Sequence, residues 1–206
     1  MMNHNTFKNK SKFGFTIIET LIVIAVFILI MIAVASSILY FYKSNTITLE
    51  QAYAINSARK GIEFMVRDIR EVIYSDEGAY PVISMGANSF YFYSDIDRDN
   101  SVERIRYFID GTDLKKGLTE SSGDPPKYLD SNEVISTISD STRNVEQGVS
   151  VFKYFDNQGN EITNYDKIDD VAFVKVNLVV NINANRLPDE FTLRSSATLR
   201  NLKTNL

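Results

Sequence analysis

The chain contains no cysteine and a single histidine, His4. Without cysteine there is no disulfide framework, no thiolate metal site and no cysteine nucleophile. With its one imidazole in the first few residues, the rest of the chain has no histidine for zinc ligation or acid/base catalysis. No Ser-bearing G-x-S-x-G motif is present either, so nothing in the sequence supports an enzyme. Proline is absent from Met1 to Pro81, and no charged residue occurs between Thr20 and Tyr42. Outside the first fourteen residues no Lys/Arg cluster is interleaved with aromatics, which argues against nucleic acid as a direct ligand. The 206 residues suffice for one packed domain and an appendage.

What is present begins with a charge asymmetry. The net charge is −4, yet Lys8, Lys10 and Lys12 stand near the start with no acid among them. The uncharged run that follows, TLIVIAVFILIMIAVASSILYFY, is long enough at 1.5 Å per residue to cross the roughly 30 Å of bilayer hydrocarbon. Lysines before it keep the leader cytoplasmic and export the remainder. An ordinary secretory signal is the competing reading, because Ala33-Val34-Ala35 before Ser36 offers a small-residue cleavage site. Against it stand the carboxylate of Glu19 at the head of the apolar run and the apolar residues that continue from Ile38 through Tyr42.

The stretch Lys12-Phe13-Gly14-Phe15-Thr16-Ile17-Ile18-Glu19-Thr20-Leu21 resembles the class III signal of type IV prepilins. The resemblance implies cleavage by a prepilin peptidase between Gly14 and Phe15 and N-methylation of Phe15. It also implies a register-setting role for Glu19, which pairs with the α-amino group of Phe15 in a neighbouring pilin or pseudopilin subunit. Physical chemistry leads toward a partner independently, since a carboxylate buried among apolar helices must be paired, hydrogen-bonded or neutralised. An acid that stays protonated, or that snorkels to the interface, is the alternative.

Beyond Tyr42, apolar residues recur at Ile55, Ala58, Ile62, Met65/Val66, Ile69 and Val72/Ile73, the spacing of an amphipathic helix. Only Gly61 interrupts it, so the helix is expected to run to about Tyr74, a rod of roughly 85–90 Å. A looser zone is expected around Lys43 to Thr48, where Ser44, Asn45, Thr46 and Thr48 are weak helix formers. After Pro81 the pattern predicts strands over Ser89–Ile96, Val102–Asp110, Val149–Asp156, Ala172–Ile182 and Glu190–Leu202. Asp97–Asn100 and Asp156–Asn160 read as hairpin turns, and Gly117–Asn132 as a mobile surface loop.

The expected fold class is α+β, a pilin fold whose long N-terminal helix spans the membrane with its first half and packs on an antiparallel β-sheet with its second. The expected organisation is a basic leader over 1–14, a membrane and filament-core helix over 15–42, an amphipathic continuation over 43–74 and an exported head over 75–206. Phe64–Glu71, the hairpin Tyr91–Phe108, Phe152–Asp156 with Gly159, and Ala197–Leu202 together resemble minor pilins of the PilW type and minor pseudopilin J of type II secretion. This resemblance implies a subunit near a filament tip, on the cell surface or in the periplasm, that meets an inner-membrane assembly platform. A pilin-anchored adhesin with Tyr80, Tyr91, Tyr93 and Tyr128 as contacts is one alternative, and a major filament subunit is another.

Arg67, Asp68 and Arg70 read as a solvated helix face with a capping or intrahelical pair. Arg200 and Asn201 read as closing the last strand. Asp95, Asp97, Asp99 and Glu103, with Asn100 between them, bring oxygen ligands into one turn in the manner of a calcium loop. Asn100 replaces the loop glycine and Arg106 the bidentate glutamate, so a plain Asp/Asn hairpin turn stands beside the calcium reading.

Overall fold

A computed structural model describes residues 14–99, 101–181 and 190–200. The chain divides into two units, Met1–Thr48 and Leu49–Leu206, and one helix, α1 (Ile17–Arg70), begins in the first and ends in the second. The leader over residues 1–13 lies outside the described residues.

In the first unit, Thr16 caps the helix: the Glu19 N–H donates to Thr16 Oγ1 at 3.4 Å. Every residue of α1 from Ile17 to Tyr42 is exposed, and the apolar run is long enough to cross a membrane. Two of its hydroxyls turn back onto the helix, with Thr20 donating to the Ile17 carbonyl and Ser36 to the Ile32 carbonyl, both at 2.8 Å. Thr20 and Ser36 therefore need no solvent acceptor for their hydroxyl protons. The expected loosening after Lys43 does not occur. Thr46 and Thr48 donate to the carbonyls of Tyr42 and Ser44, which keeps weak helix formers in the helical conformation.

In the second unit the helix becomes one-sided. Ala54, Ala58, Gly61, Ile62, Met65, Val66 and Ile69 are buried at spacings of three and four. The helix ends at Arg70, earlier than Tyr74, because strand pairing captures the chain: Val72 bridges to Ser94 and the Ile73 N–H donates to the Tyr93 carbonyl. The Ser94 hydroxyl donates to the Asp68 carbonyl at 2.7 Å, satisfying one of the acceptors left over at the helix end.

The strands form two antiparallel sheets where one was expected. Strands β1 (Val82–Met85), β2 (Ser89–Ser94), β3 (Glu103–Asp110), β4 (Asp113–Thr119) and β5 (Val134–Ser139) make a five-stranded meander. Strands β6 (Phe152–Phe155), β7 (Glu161–Ile162), β8 (Phe173–Val180) and β9 (Phe191–Thr198) form a second sheet in the order β7-β6-β8-β9. The division arises after β5, where Thr142 bridges to Val180 at the end of β8 and the chain goes on to β6 instead of extending the meander. Both sheets share one core with the helix, in which Ile62, Met65, Ile69 and Val72 meet Phe90, Phe92, Tyr107, Leu114, Phe152, Val174 and Leu178. Each large apolar side chain so buried contributes about 1.5–3 kcal/mol.

Gly117–Asn132 is not a free loop. Gly117–Thr119 belongs to β4, and a Cβ on Gly117 would run into the Glu133 carboxylate, which pairs with Arg106 at 2.8 Å. Glycine there leaves room for that ion pair. Further on, Tyr128 fastens the segment: its hydroxyl donates to the Val102 carbonyl at 2.7 Å and accepts from the Asp76 N–H at 3.2 Å.

Candidate functional site

Three places gather the residues singled out by the sequence. The first is the start of α1. Gly14, Phe15 and Thr16 precede the helix in irregular, exposed backbone, with the Phe15 side chain at 76% exposure. Four residues beyond Phe15, Glu19 sits in the first helical turn, where the partial positive charge of the helix N-terminus favours a carboxylate. The Thr16-x-x-Glu19 spacing is also that of a capping box, a local role for Glu19 that its apolar surroundings obscure. Among the described residues no cation forms an ion pair with Glu19; the ion pairs present all lie in the second unit.

The second place is the β2–β3 turn. Strand pairing of Ser94 with Glu103 closes this hairpin, and the carboxylate oxygens of Asp95, Asp97 and Glu103 come within 4.8 Å of one another. Asp99 is not in that group; its Oδ1 accepts from the Ser101 N–H at 2.8 Å. Asn100 lies outside the described residues. Asx bonds shape the turn, with the Arg98 N–H donating to Asp95 Oδ1 at 2.7 Å and the Asp99 N–H to Asp97 Oδ1 at 3.3 Å. Arg98 adopts a φ of 63° in the left-handed region, and its side chain forms an ion pair with Glu71 at 3.2 Å. Burial, reinforced by the charges of Asp97 and Asp95 and opposed by the Ile96 N–H, pushes the Glu103 carboxyl up to about 7. Three carboxylates of this kind are hard oxygen donors suited to a divalent cation such as calcium.

The third place contradicts a sequence expectation. Asp68 is fully buried, not part of a solvated face. It lies three residues beyond Met65 on the stripe that meets the five-stranded sheet, so its side chain points inward. Tyr107 and Lys116 are directly opposed partners in β3 and β4, and both reach Asp68 Oδ2, at 2.7 and 2.5 Å. Arg67 adds a contact at 3.2 Å from the same helix. This arrangement is structural in character: a buried carboxylate compensated by a cation and a hydroxyl ties helix to sheet. Sequence reasoning missed it because the partners lie 39 and 48 residues away.

The four tyrosines considered as adhesive contacts are engaged within the fold. Tyr93 packs on Tyr128 with ring centroids 5.0 Å apart, and Tyr91 and Tyr128 both lie under the Arg104 guanidinium. Burial pushes the Tyr128 hydroxyl up to about 12. Tyr80 meets Tyr74 edge-on and donates to the Asp169 carbonyl. Arg200 does not close the last strand, which ends at Thr198; it is exposed and lines a groove beside α1. Asn201 lies outside the described residues.

No protein-family model matches the chain, and no curated protein matches it in sequence.

Proposed function

We propose that this chain is a structural subunit of a type IV pilin-like filament, anchored in the membrane by the first half of α1 and carrying an exported head. The observation that carries this reading is the pairing of two unmet needs in the first unit. Among the described residues nothing covers the apolar surface from Ile17 to Tyr42, and Glu19 at its head has no counter-charge. A bilayer covers apolar surface and leaves the acid costly. A bundle of like helices covers the surface and supplies a cation as well.

In this account prepilin peptidase cuts between Gly14 and Phe15, and Phe15 is N-methylated. The freed α-amine of one subunit then pairs with Glu19 of its neighbour, fixing the axial step of a heterologous, repeating contact. The partners are other pilin or pseudopilin subunits and an inner-membrane assembly platform. The resemblance to PilW-type minor pilins and minor pseudopilin J supports a place near the filament tip. Internal packing of Tyr80, Tyr91, Tyr93 and Tyr128 favours assembly over adhesion. The test is incorporation into filaments: Glu19→Ala should be processed and folded but poorly incorporated, since leaving one member of a buried pair uncompensated costs about 3–5 kcal/mol. Incorporation equal to wild type would overturn the pairing.

A further inference from the structure

We propose that the outer edge of β9 is a docking site for an extended acidic peptide segment of a partner protein, which adds to the four-stranded sheet as a further strand.

Four strands end the two sheets, and three of them are poor templates. β7 has two residues, and β1 and β5 each carry a register shift that bends the edge. β9 pairs with β8 in unbroken register from Phe191 to Thr198. Its sequence, FTLRSSAT, has one charge and no proline, and no strand pairs with its far side among the described residues. An edge of this length and regularity is ordinarily blunted by charge, proline, a bulge or cover, because its free N–H and C=O groups recruit other chains. Among the described residues, β9 has none of these protections beyond Arg194.

The surroundings of this edge state the partner's chemistry. On one face of the sheet, Lys153, Lys175 and Arg194 come from three adjacent strands and line a groove of about 510 Å³, whose lining among the described residues includes no carboxylate. Lys153 and Lys175 are directly opposed across β6 and β8, a pairing of like charges that costs stability unless an anion intervenes. Glu161 answers Lys153 at 3.0 Å, while Lys175 rests over the Phe155 ring. On the other face, Arg67, Arg70 and Arg200 line a groove of about 330 Å³ between α1 and β9, with Glu63 and with Glu71, which Arg98 already engages. Ser195 lines both grooves, so the two meet at the strand. The ion pairs among the described residues leave out Arg70, Arg194 and Arg200.

A strand added to β9 sends alternate side chains into these two grooves. Cations flank both, in a chain whose overall charge is negative, so an acidic segment fits and a basic one is repelled. Main-chain bonds to β9 supply the attachment, and the cations supply the selectivity.

The experiment uses the full chain in uncharged detergent and a fluorescent octapeptide of alternating glutamate and threonine, read by anisotropy at low ionic strength. Saturable binding is expected. A peptide of the same charge with alternate backbone nitrogens methylated should bind about tenfold more weakly, as should the unmethylated peptide to Arg70→Glu/Arg194→Glu, whose circular dichroism should match the unsubstituted chain because both positions are exposed. The lysine-threonine counterpart should not bind. Equal affinity for the methylated peptide would reduce the site to a charged surface and overturn strand addition; absence of binding, or binding unchanged in the double variant, would overturn the proposal entirely. These outcomes concern the second unit and leave the filament reading standing.

Discussion

The Tyr107 hydroxyl donates to Asp68 Oδ2 at 2.7 Å, and neither side chain reaches solvent. Burial, then the Asp68 carboxylate, holds the Tyr107 hydroxyl well above its ordinary pKa. With Lys116 on the same oxygen, the contact joins α1 to β3 and β4. Asp68→Ala strands a buried ammonium and a buried hydroxyl together and is expected to cost about 3–5 kcal/mol. Tyr107→Phe removes one bond to a charged acceptor and should cost about 1.5–3 kcal/mol. Denaturant unfolding of the full chain in detergent measures both, and a loss below about 0.5 kcal/mol for Asp68→Ala, the range of ordinary surface changes, would refute the role assigned to it.

Glu103 sets a pH dependence of definite sign. Its carboxyl is raised from 4.5 in the unfolded chain to about 7 in the fold, so between those values the folded state holds a proton that the unfolded state has released. Stability therefore declines as pH rises through that window, and the penalty is complete above it. Thermal melts in chelator should show the decline for wild type and a flatter profile for Glu103→Gln, which keeps an oxygen for the Ile96 N–H. Parallel profiles across the window would contradict the assignment.

The same turn gives a direct assay for calcium. If Asp95, Asp97 and Glu103 hold the ion, calcium at a hundred times its Kd stabilises the chain by about 2.7 kcal/mol. The gain should vanish in Asp97→Asn/Glu103→Gln. Identical melting in calcium and in chelator would leave the three acids as turn formers.

How much of this was legible in the sequence depends on how local the signal is. Helix α1 follows from the apolar run and from the spacing of Ile62, Met65 and Ile69, both readable within a few turns. Strand β8 alternates clearly and was anticipated to within two residues at either end. β4 was not, because Lys115, Lys116 and Gly117 resemble a loop; only its pairing with β3 shows that Lys116 faces inward to Asp68. Gly111-Thr112 between Asp110 and Asp113, with Gly111 at a φ of 62°, was the available hairpin signal. Gly61 looked like a flaw in the helix, yet a Cβ there would sit 3.2 Å from Ile138 and 3.4 Å from Ser139, so the glycine permits close approach to β5. Asp95 and Glu103 were linked in advance because a single hairpin turn joins them. Asp68 and its partners were not, since nothing short of the sheet register brings them together.

The central claim is that Glu19 and Phe15 belong to a filament-assembly device at the head of α1, and processing is its most direct test. Intact-mass and N-terminal analysis of the chain recovered from membranes of cells that express a prepilin peptidase should give a mature protein beginning at Phe15, with a methyl group on its α-amine. A chain beginning at Ser36, or one retaining Met1–Gly14 in the presence of the peptidase, would contradict the account.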